Sequence, residues 1–76
     1  MIKFEVGDLV YFPKDTSLAD IDNNWVEYEK TTILLILKTH RKYNDDYRFY
    51  VYDAFDGINK VTIDHLVVDL CIKIAI

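Results

Sequence analysis

The sequence predicts an all-β domain, a small barrel of five short antiparallel strands with a long acidic loop between the first two strands. β-Branched and aromatic residues are frequent, whereas glycine and proline are scarce, with two Gly and one Pro. Turn-forming pairs divide the chain into short apolar segments, which is typical of small β-barrels. Because the chain has only 76 residues, we expect residues 1–76 to form one domain with one hydrophobic core.

The first predicted strand and the acidic loop lie in the N-terminal third. Alternating residues predict a strand over Lys3–Phe12, interrupted by a turn or bulge at Gly7–Asp8. Pro13 ends this strand because proline cannot donate to a sheet ladder. Residues 15–25 form the predicted loop, and the spacing in Ser17–Asp20 is also compatible with one helical turn.

The second predicted strand extends over Val26–His40 and contains five consecutive aliphatic residues, Ile33–Leu37. Such a run predicts a strand that is buried on both faces. In so small a domain, we expect one of these faces to lie against another subunit. The polar segment Arg41–Asp46 is predicted to be a hairpin loop.

Three further strands are predicted in the C-terminal half. The third covers Tyr47–Phe55 and is followed by Asp56–Gly57, a strong hairpin signal. The fourth begins at Ile58. The segment Asp64–Leu66 predicts a tight turn or a single 3-10 turn, and the fifth strand covers Val67–Ile76.

The fifth predicted strand is long and apolar, and it either closes the barrel or pairs with a second copy of the chain. Cys71 is the single cysteine, which excludes a disulfide within the chain and leaves oligomerisation as the expected supplement to a small core. We therefore expect a homodimer. Its predicted interface consists of four side chains on one face of the strand: Leu70, Ile72, Ile74 and Ile76.

Acidic residues are concentrated between positions 15 and 29, where there is no Lys or Arg, and the whole chain has a net charge of −4. If Glu27 and Glu29 lie in one strand, they share a face at a spacing of roughly 6.6 Å. This surface either keeps an apolar domain soluble or competes for the basic, DNA-binding groove of a protein. The predicted protein-binding residues are Asp20, Asp22, Trp25, Glu27 and Glu29.

A short basic cluster offers a different interpretation, direct binding of nucleic acid. It consists of Lys38, His40, Arg41 and Lys42, followed by Tyr43, whose ring would stack on a base. The alternatives are a solvated loop or an intersubunit partner for the acidic segment. Because the overall charge is negative, a protein is the favoured partner and nucleic acid the less favoured one.

Catalytic, metal and membrane functions are not expected. His65 follows Asp64, but no nucleophile accompanies them and Cys71 lies in an apolar strand, which predicts a structural thiol. The soft ligands lack zinc-finger spacing, so we expect no metal and no cofactor. The N-terminus lacks the pattern of a targeting signal, and no apolar run is long enough to span a bilayer. We therefore expect a cytoplasmic location.

Three motifs resemble the SH3-like (Tudor and KOW-type) small barrels. The segment Phe4–Tyr11 resembles their opening strand, in which a Gly-Asp turn bends the chain into the barrel. The segment Tyr50–Gly57 resembles their third-strand hairpin, and Ile63–Leu66 resembles the short turn before their last strand. The resemblance implies an SH3-like barrel. Tudor-type barrels also bind methylated lysine or arginine in an aromatic cage, for which the candidates are Trp25, Tyr47, Tyr50, Tyr52 and Phe55.

The chain also resembles small acidic bacteriophage proteins, several of which inhibit host replication or transcription machinery. That resemblance implies a non-catalytic inhibitor or adaptor in the host cytoplasm. It would bind a basic surface of a host nucleic-acid-handling protein, partly by mimicking DNA. A direct nucleic-acid-binding barrel and a structural subunit of a larger assembly are the alternatives.

Overall fold

A computed structural model describes residues 4–41, 50–64 and 67–74. As predicted, these residues are all-β, with seven strands and one 3-10 helix, Val68–Leu70. In the described part of the chain, no helix is long and apolar enough to cross a membrane. The strands are β1 (Leu9–Phe12), β2 (Thr16–Asp20), β3 (Trp25–Tyr28), β4 (Thr32–Arg41), β5 (Tyr50–Phe55), β6 (Lys60–Ile63) and β7 (Ile72–Lys73).

The strands form one antiparallel sheet in the order β3-β2-β6-β5-β4-β1-β7. The prediction of five strands in a closed barrel differs from this sheet in two respects. There are seven strands, and among the described residues β3 and β7 stand at opposite ends of the order and do not pair, so the sheet is not closed. One additional strand, β2, lies in the segment predicted to be a loop, and the other arises because the predicted second strand is divided into β3 and β4.

The predicted acidic loop is a β-hairpin, and the alternative of a helical turn is wrong. In β2, Leu18 is buried while its neighbours are half-buried, which is the alternation of a strand. Asp20, which the Ser17–Asp20 pattern placed in a helix cap, instead accepts hydrogen bonds in the turn after β2. One carboxylate oxygen of Asp20 accepts the backbone N–H groups of Asp22 and Asn24, each at 2.9 Å, and so closes the turn between β2 and β3.

The predicted second strand is divided into two strands that lie in different parts of the sheet. β3 ends at Tyr28 and β4 begins at Thr32. β3 pairs with β2, whereas β4 pairs with β1 and β5, so the chain must change position between them. The Thr32 hydroxyl donates to the carbonyl of Lys30 at 3.0 Å within this connection. No glycine or proline marks the break, which is why the sequence pattern concealed it.

The hydrophobic core lies on one face of the sheet. Tyr52 packs edge-on against Phe4 with ring centroids 5.4 Å apart, and Phe12 packs edge-on against Tyr28 at 5.5 Å. These aromatic pairs fix the start of the chain and the hairpin to the same core. The other buried core residues are Val10, Leu18, Leu34, Ile36, Ala54, Val61, Ile63 and Cys71.

The aliphatic run of β4 is buried on one face only, contrary to the prediction of burial on both. Leu34 and Ile36 point into the core, whereas Ile33 is 49% exposed. Cross-strand pairing places Ile33 opposite Tyr11, and Tyr11 opposite Ile72. Tyr11 and Ile72 are 43% and 66% exposed, so these three residues form an apolar row on the outer face of the sheet. We call them the outer apolar row.

The segment predicted to be the fifth strand contains a 3-10 helix followed by a strand that is shorter than expected. The carbonyl of Asp64 accepts the N–H groups of Val67 and Val68 at 3.2 and 2.9 Å. His65 and Leu66 of the predicted turn lie outside the described residues. The 3-10 helix follows, and β7 covers only Ile72–Lys73. β7 pairs with β1 of the same chain. Thus the last strand finds its partner within its own chain.

The two predicted glycine turns are confirmed. Gly7 and Gly57 have φ angles of 93° and 101°, a region that only glycine adopts readily. Because the first turn covers Val6–Gly7, β1 begins at Leu9 and not near the N-terminus. The second turn moves the start of the fourth predicted strand from Ile58 to Lys60. The predicted start of the third strand at Tyr47 lies outside the described residues, as does most of the loop before it.

Candidate protein-binding hairpin

The acidic hairpin, defined as β2 and β3 with the flanking Asp15 and Glu29, is the candidate site. Its two strands pair with Leu18 opposite Val26, Ala19 opposite Trp25 and Ser17 opposite Glu27. Leu18 is buried and Val26 packs against the core, so the alternate residues point outward. Trp25 is 73% exposed on this outer face, and Glu27 is exposed beside it.

The acidic residues of the hairpin have different surroundings. Asp20 is half-buried, and its carboxylate is hydrogen-bonded to the turn that joins the strands. Asp22 is exposed within that turn. Asn23 adopts a φ angle of 63°, which asparagine tolerates in a tight turn. Asp20 therefore shapes the hairpin, whereas Asp22 is exposed to solvent.

An open groove of about 280 Å³ lies at the other end of the hairpin, and three carboxylates line it: Asp15, Glu27 and Glu29. Glu27 and Glu29 were expected to form a row if both lay in one strand, but β3 ends at Tyr28 and Glu29 follows it. Both residues nevertheless line this groove. Asp15 joins them because Thr16 pairs with Tyr28. Sequence reasoning did not select Asp15, because only the hairpin register brings it near Glu27.

In the described part of the chain, no cation lies within ion-pair distance of the groove's carboxylates. Among the described side chains, no ion pair involves Asp15, Glu27 or Glu29, whereas Lys73 lies 3.5 Å from a carboxylate oxygen of Asp8 at the opposite end of the strand order. The groove thus presents a local negative potential. Such a potential attracts a basic surface and accelerates its association.

A partly buried hydrogen bond fixes the hairpin to the rest of the sheet. The Tyr28 hydroxyl donates to Asp56 at 2.7 Å, and the other oxygen of Asp56 accepts the N–H groups of Ile58 and Asn59 at 2.7 and 2.6 Å. Burial, together with the hydrogen bond to Asp56 and its charge, raises the pKa of Tyr28 well above its usual range. The phenol therefore stays protonated and keeps donating.

The pKa of Asp56 shifts in the opposite direction. Burial favours the protonated carboxyl and acts to raise the pKa, but hydrogen bonds from Asn59, Tyr28 and Ile58 together outweigh it. The net effect is a lowered pKa. Asp56 is thus ionised near neutral pH and holds the β5–β6 turn and the hairpin in one arrangement.

The structure describes only part of the predicted basic cluster. Lys38 is exposed in β4, and Arg41 is the last residue of that strand. Lys42 and Tyr43 lie outside the described residues. Lys38 and the acidic hairpin are on different parts of the sheet, because β5 and β6 separate β4 from β2.

Two of the residues considered for an aromatic cage, Trp25 and Tyr52, lie in different parts of the sheet. Tyr52 is a core residue packed on Phe4, and Trp25 is separated from β5 by β2 and β6. Tyr47 lies outside the described residues. The aromatic-cage interpretation is therefore wrong for Tyr52, whose ring has no accessible face.

The remaining candidates are placed as follows. The Cys71 thiol is buried and donates to the carbonyl of Val67 at 3.8 Å, and His65 lies outside the described residues. Among the described side chains, no group of three His, Cys, Asp or Glu residues is arranged to hold a metal ion.

The four predicted interface residues do not share one strand face. Leu70 belongs to the 3-10 helix, Ile72 is exposed in β7, and Ile74 is half-buried with its N–H donating to the carbonyl of Leu9 at 2.9 Å. Ile76 lies outside the described residues. Of the described members of this set, Ile72 alone belongs to the outer apolar row.

The acidic hairpin is thus the described feature that best combines exposure, charge and a rigid base. Trp25, Asp22 and Glu27 are exposed, while Leu18 and Tyr28 hold the hairpin to the core. No protein-family model, no curated protein and no solved structure matches the chain.

Proposed function

We propose that this chain is a non-catalytic protein-binding module whose acidic hairpin engages a basic surface of a partner protein. The observation that carries the proposal is the placement of Trp25 beside Glu27 on the exposed face of a rigid hairpin. A large exposed indole loses much water-accessible surface when it enters a pocket, and such residues dominate binding energy. Glu27, Glu29 and Asp22 then supply electrostatic steering.

The partner class that fits this surface is a nucleic-acid-handling protein with a basic groove. Such a groove is built to accept regularly spaced negative charge. The carboxylates of Asp15, Glu27 and Glu29 line one groove without neutralising cations among the described side chains. Partial mimicry of DNA, with inhibition of a host replication or transcription protein by a phage-type inhibitor or adaptor, is the form of this function that we propose.

We propose an SH3-like arrangement for the part of the sheet that excludes the hairpin. Five strands, in the order β6-β5-β4-β1-β7, are neighbours in the sheet, and the first of them along the chain pairs with the last. A short 3-10 helix precedes the last strand. The acidic hairpin is then an insertion between the first two strands of this set, held at the edge of the set by pairing of β2 with β6.

Affinity capture from a nuclease-treated bacterial lysate tests the proposed function. The Glu27→Lys/Glu29→Lys double variant is expected to lose the protein that the wild-type chain enriches. The matched control is Glu5→Lys/Asp69→Lys, which changes the net charge equally on exposed residues next to β1 and β7. Retention by the control with loss by the hairpin variant supports the proposal. Equal capture by both variants contradicts it.

A second function, a structural subunit of an assembly, is favoured by the outer apolar row. Ile33, Tyr11 and Ile72 lie side by side and are exposed on the outer face of the sheet. Contiguous exposed apolar side chains are typical of association surfaces. Contact between two copies through this row would give a homodimer in which one patch meets itself across a two-fold axis.

A further inference from the structure

The two exposed residues of β3, Trp25 and Glu27, also direct their backbone groups away from β2. The carbonyls of Asn24 and Tyr28 accept the N–H groups of Asp20 and Asp15, at 2.8 and 2.6 Å, so this alternate set faces β2. In an antiparallel ladder, successive residues direct their N–H and C=O groups to opposite edges. Trp25 and Glu27 therefore direct their N–H and C=O groups to the free edge of β3.

That edge is open in the described part of the chain. β3 is the first strand in the sheet order, and no described strand pairs with its outer side. An unpaired edge with free donors and acceptors is a template for another strand. Trp25 and Glu27 therefore direct their backbone groups to the free edge, and their side chains lie on the exposed face of the sheet. The same two residues would contact a partner through both.

The opposite edge of the sheet, formed by β7, is better protected against pairing with another strand. β7 has only two residues. The N–H of Ile74 donates to Leu9 of β1, so Lys73 is the residue of β7 whose backbone N–H and C=O groups point to the free edge. A very short edge strand with an outward lysine is a common protection against pairing. β3 has neither feature: it is twice as long as β7 and contains no lysine or proline.

We propose that the free edge of β3 receives an extended segment of the partner protein, which adds an antiparallel strand to the sheet. This inference rests on the proposed function and specifies how the partner binds. Two residues of the segment would pair with Trp25 and Glu27 through the backbone, which supplies affinity in strand addition. The side chains of these two residues would lie on the same face as Trp25 and Glu27. The carboxylate of Glu27 has no ion pair among the described side chains, so a basic residue opposite Glu27 would pair with it.

A second copy of the chain is the poorer occupant of this edge. In the antiparallel register that places Glu27 opposite Glu27 of a second copy, the two carboxylates would face each other. Like charges facing each other across a strand pair are destabilising. A basic extended segment instead gains from the same carboxylates.

Backbone N-methylation of a probe peptide tests the strand addition. The probe is a peptide of about eight residues, the length of a typical strand or slightly more, with alternating Lys and Val and blocked termini. Residues whose side chains share the face of Glu27 have their N–H groups toward β3. Methylation of the Lys amides is therefore expected to weaken binding at least about tenfold, whereas methylation of the Val amides changes it within about twofold.

Titration is followed by NMR of the backbone amides. The amides of Trp25 and Glu27 are expected to shift and to exchange more slowly with solvent, because they gain acceptors. Equal affinity of the three peptides, or no binding of the unmethylated peptide at low salt, would overturn the inference. Greater weakening by the Val methylation would also overturn it, since the basic residues would then not lie opposite Glu27.

A pair of protein variants gives an independent test. Glu27→Pro removes an N–H that faces the free edge, and Glu27→Gln removes the same charge but keeps the N–H. Proline is tolerated on an edge strand at such a position, so both variants are expected to fold with similar melting temperatures. The proline variant should bind the peptide about tenfold more weakly than the glutamine variant. Equal affinities would overturn strand addition, yet would leave the capture experiment on Glu27 and Glu29 as a separate test of the proposed function.

Discussion

The hydroxyl of Tyr28 donates a 2.7 Å hydrogen bond to Asp56, a residue 28 positions away along the chain. The ring of Tyr28 packs edge-on against Phe12 in the core, so the ring and the hydroxyl fix the acidic hairpin in two directions. The same carboxylate closes the β5–β6 turn. The candidate binding surface is thus supported by a polar contact that joins two distant segments.

Removal of the Tyr28 hydroxyl tests this support. Tyr28→Phe keeps the ring contact but leaves Asp56 without one of its donors. We expect the free energy of unfolding to fall by about 1–2 kcal/mol, since the lost bond is to a charged acceptor in a partly buried place. The measurement is urea denaturation. The control Tyr11→Phe, at an exposed tyrosine of the outer apolar row, should change stability by less than about 0.5 kcal/mol. Equal effects of the two substitutions would contradict the role of the bond.

Acid should weaken the fold through Asp56. Its pKa is lowered in the folded chain, because hydrogen bonds from Asn59, Tyr28 and Ile58 outweigh the effect of burial. The stabilisation is therefore complete above the unfolded pKa, near about 3.9, and is lost as pH falls through the lower folded value. Urea denaturation at neutral and at acid pH should show a smaller loss for Asp56→Asn than for the wild-type chain. An identical loss would contradict the assignment.

Asp20 is expected to act in folding and not in binding. Asp20→Ala removes the acceptor of two turn N–H groups and should lower stability by about 1 kcal/mol. Asp20→Asn keeps an acceptor oxygen without the charge, so it should approach wild-type stability and retain partner capture. Thermal unfolding and lysate capture measure the two effects. Loss of capture by a stable Asp20→Asn variant would show that the charge itself contacts the partner.

The outer apolar row predicts a dimer that a single charge should break. Ile72→Lys places a charge on the row, whereas Ile58→Lys changes an isoleucine in the β5–β6 turn that is 86% exposed. Analytical ultracentrifugation should give a dimer for the wild-type chain and for Ile58→Lys, and a monomer for Ile72→Lys. A monomeric wild-type chain at high concentration would contradict association through this row.

Local signals in the sequence were sufficient for the strand content and for several turns. The abundance of β-branched and aromatic residues correctly predicted an all-β chain, because these side chains fit a pleated, half-buried surface. Gly7 and Gly57 correctly marked turns, since a positive φ angle favours glycine whatever the rest of the chain does. The acidic residues and Trp25 were also selected from the sequence, and the structure places Trp25 and Glu27 together on one exposed face.

Tertiary contacts decided three features that local signals did not predict. These are the number of strands, the different roles of the acidic residues in the hairpin, and the open edge of β3. The break between Tyr28 and Thr32 has no glycine or proline, and it arises because β3 pairs with β2 while β4 pairs with β1 and β5. The sequence pattern predicts Asp20 as a binding carboxylate, but in the structure one of its oxygens accepts two N–H groups of the turn. The sequence by itself determined which residues favour strands, turns and exposure, because those preferences are local. Only the tertiary structure decided which strand lies beside which, because strand pairing joins residues far apart in the chain, and that pairing leaves the backbone of Trp25 and Glu27 facing outward.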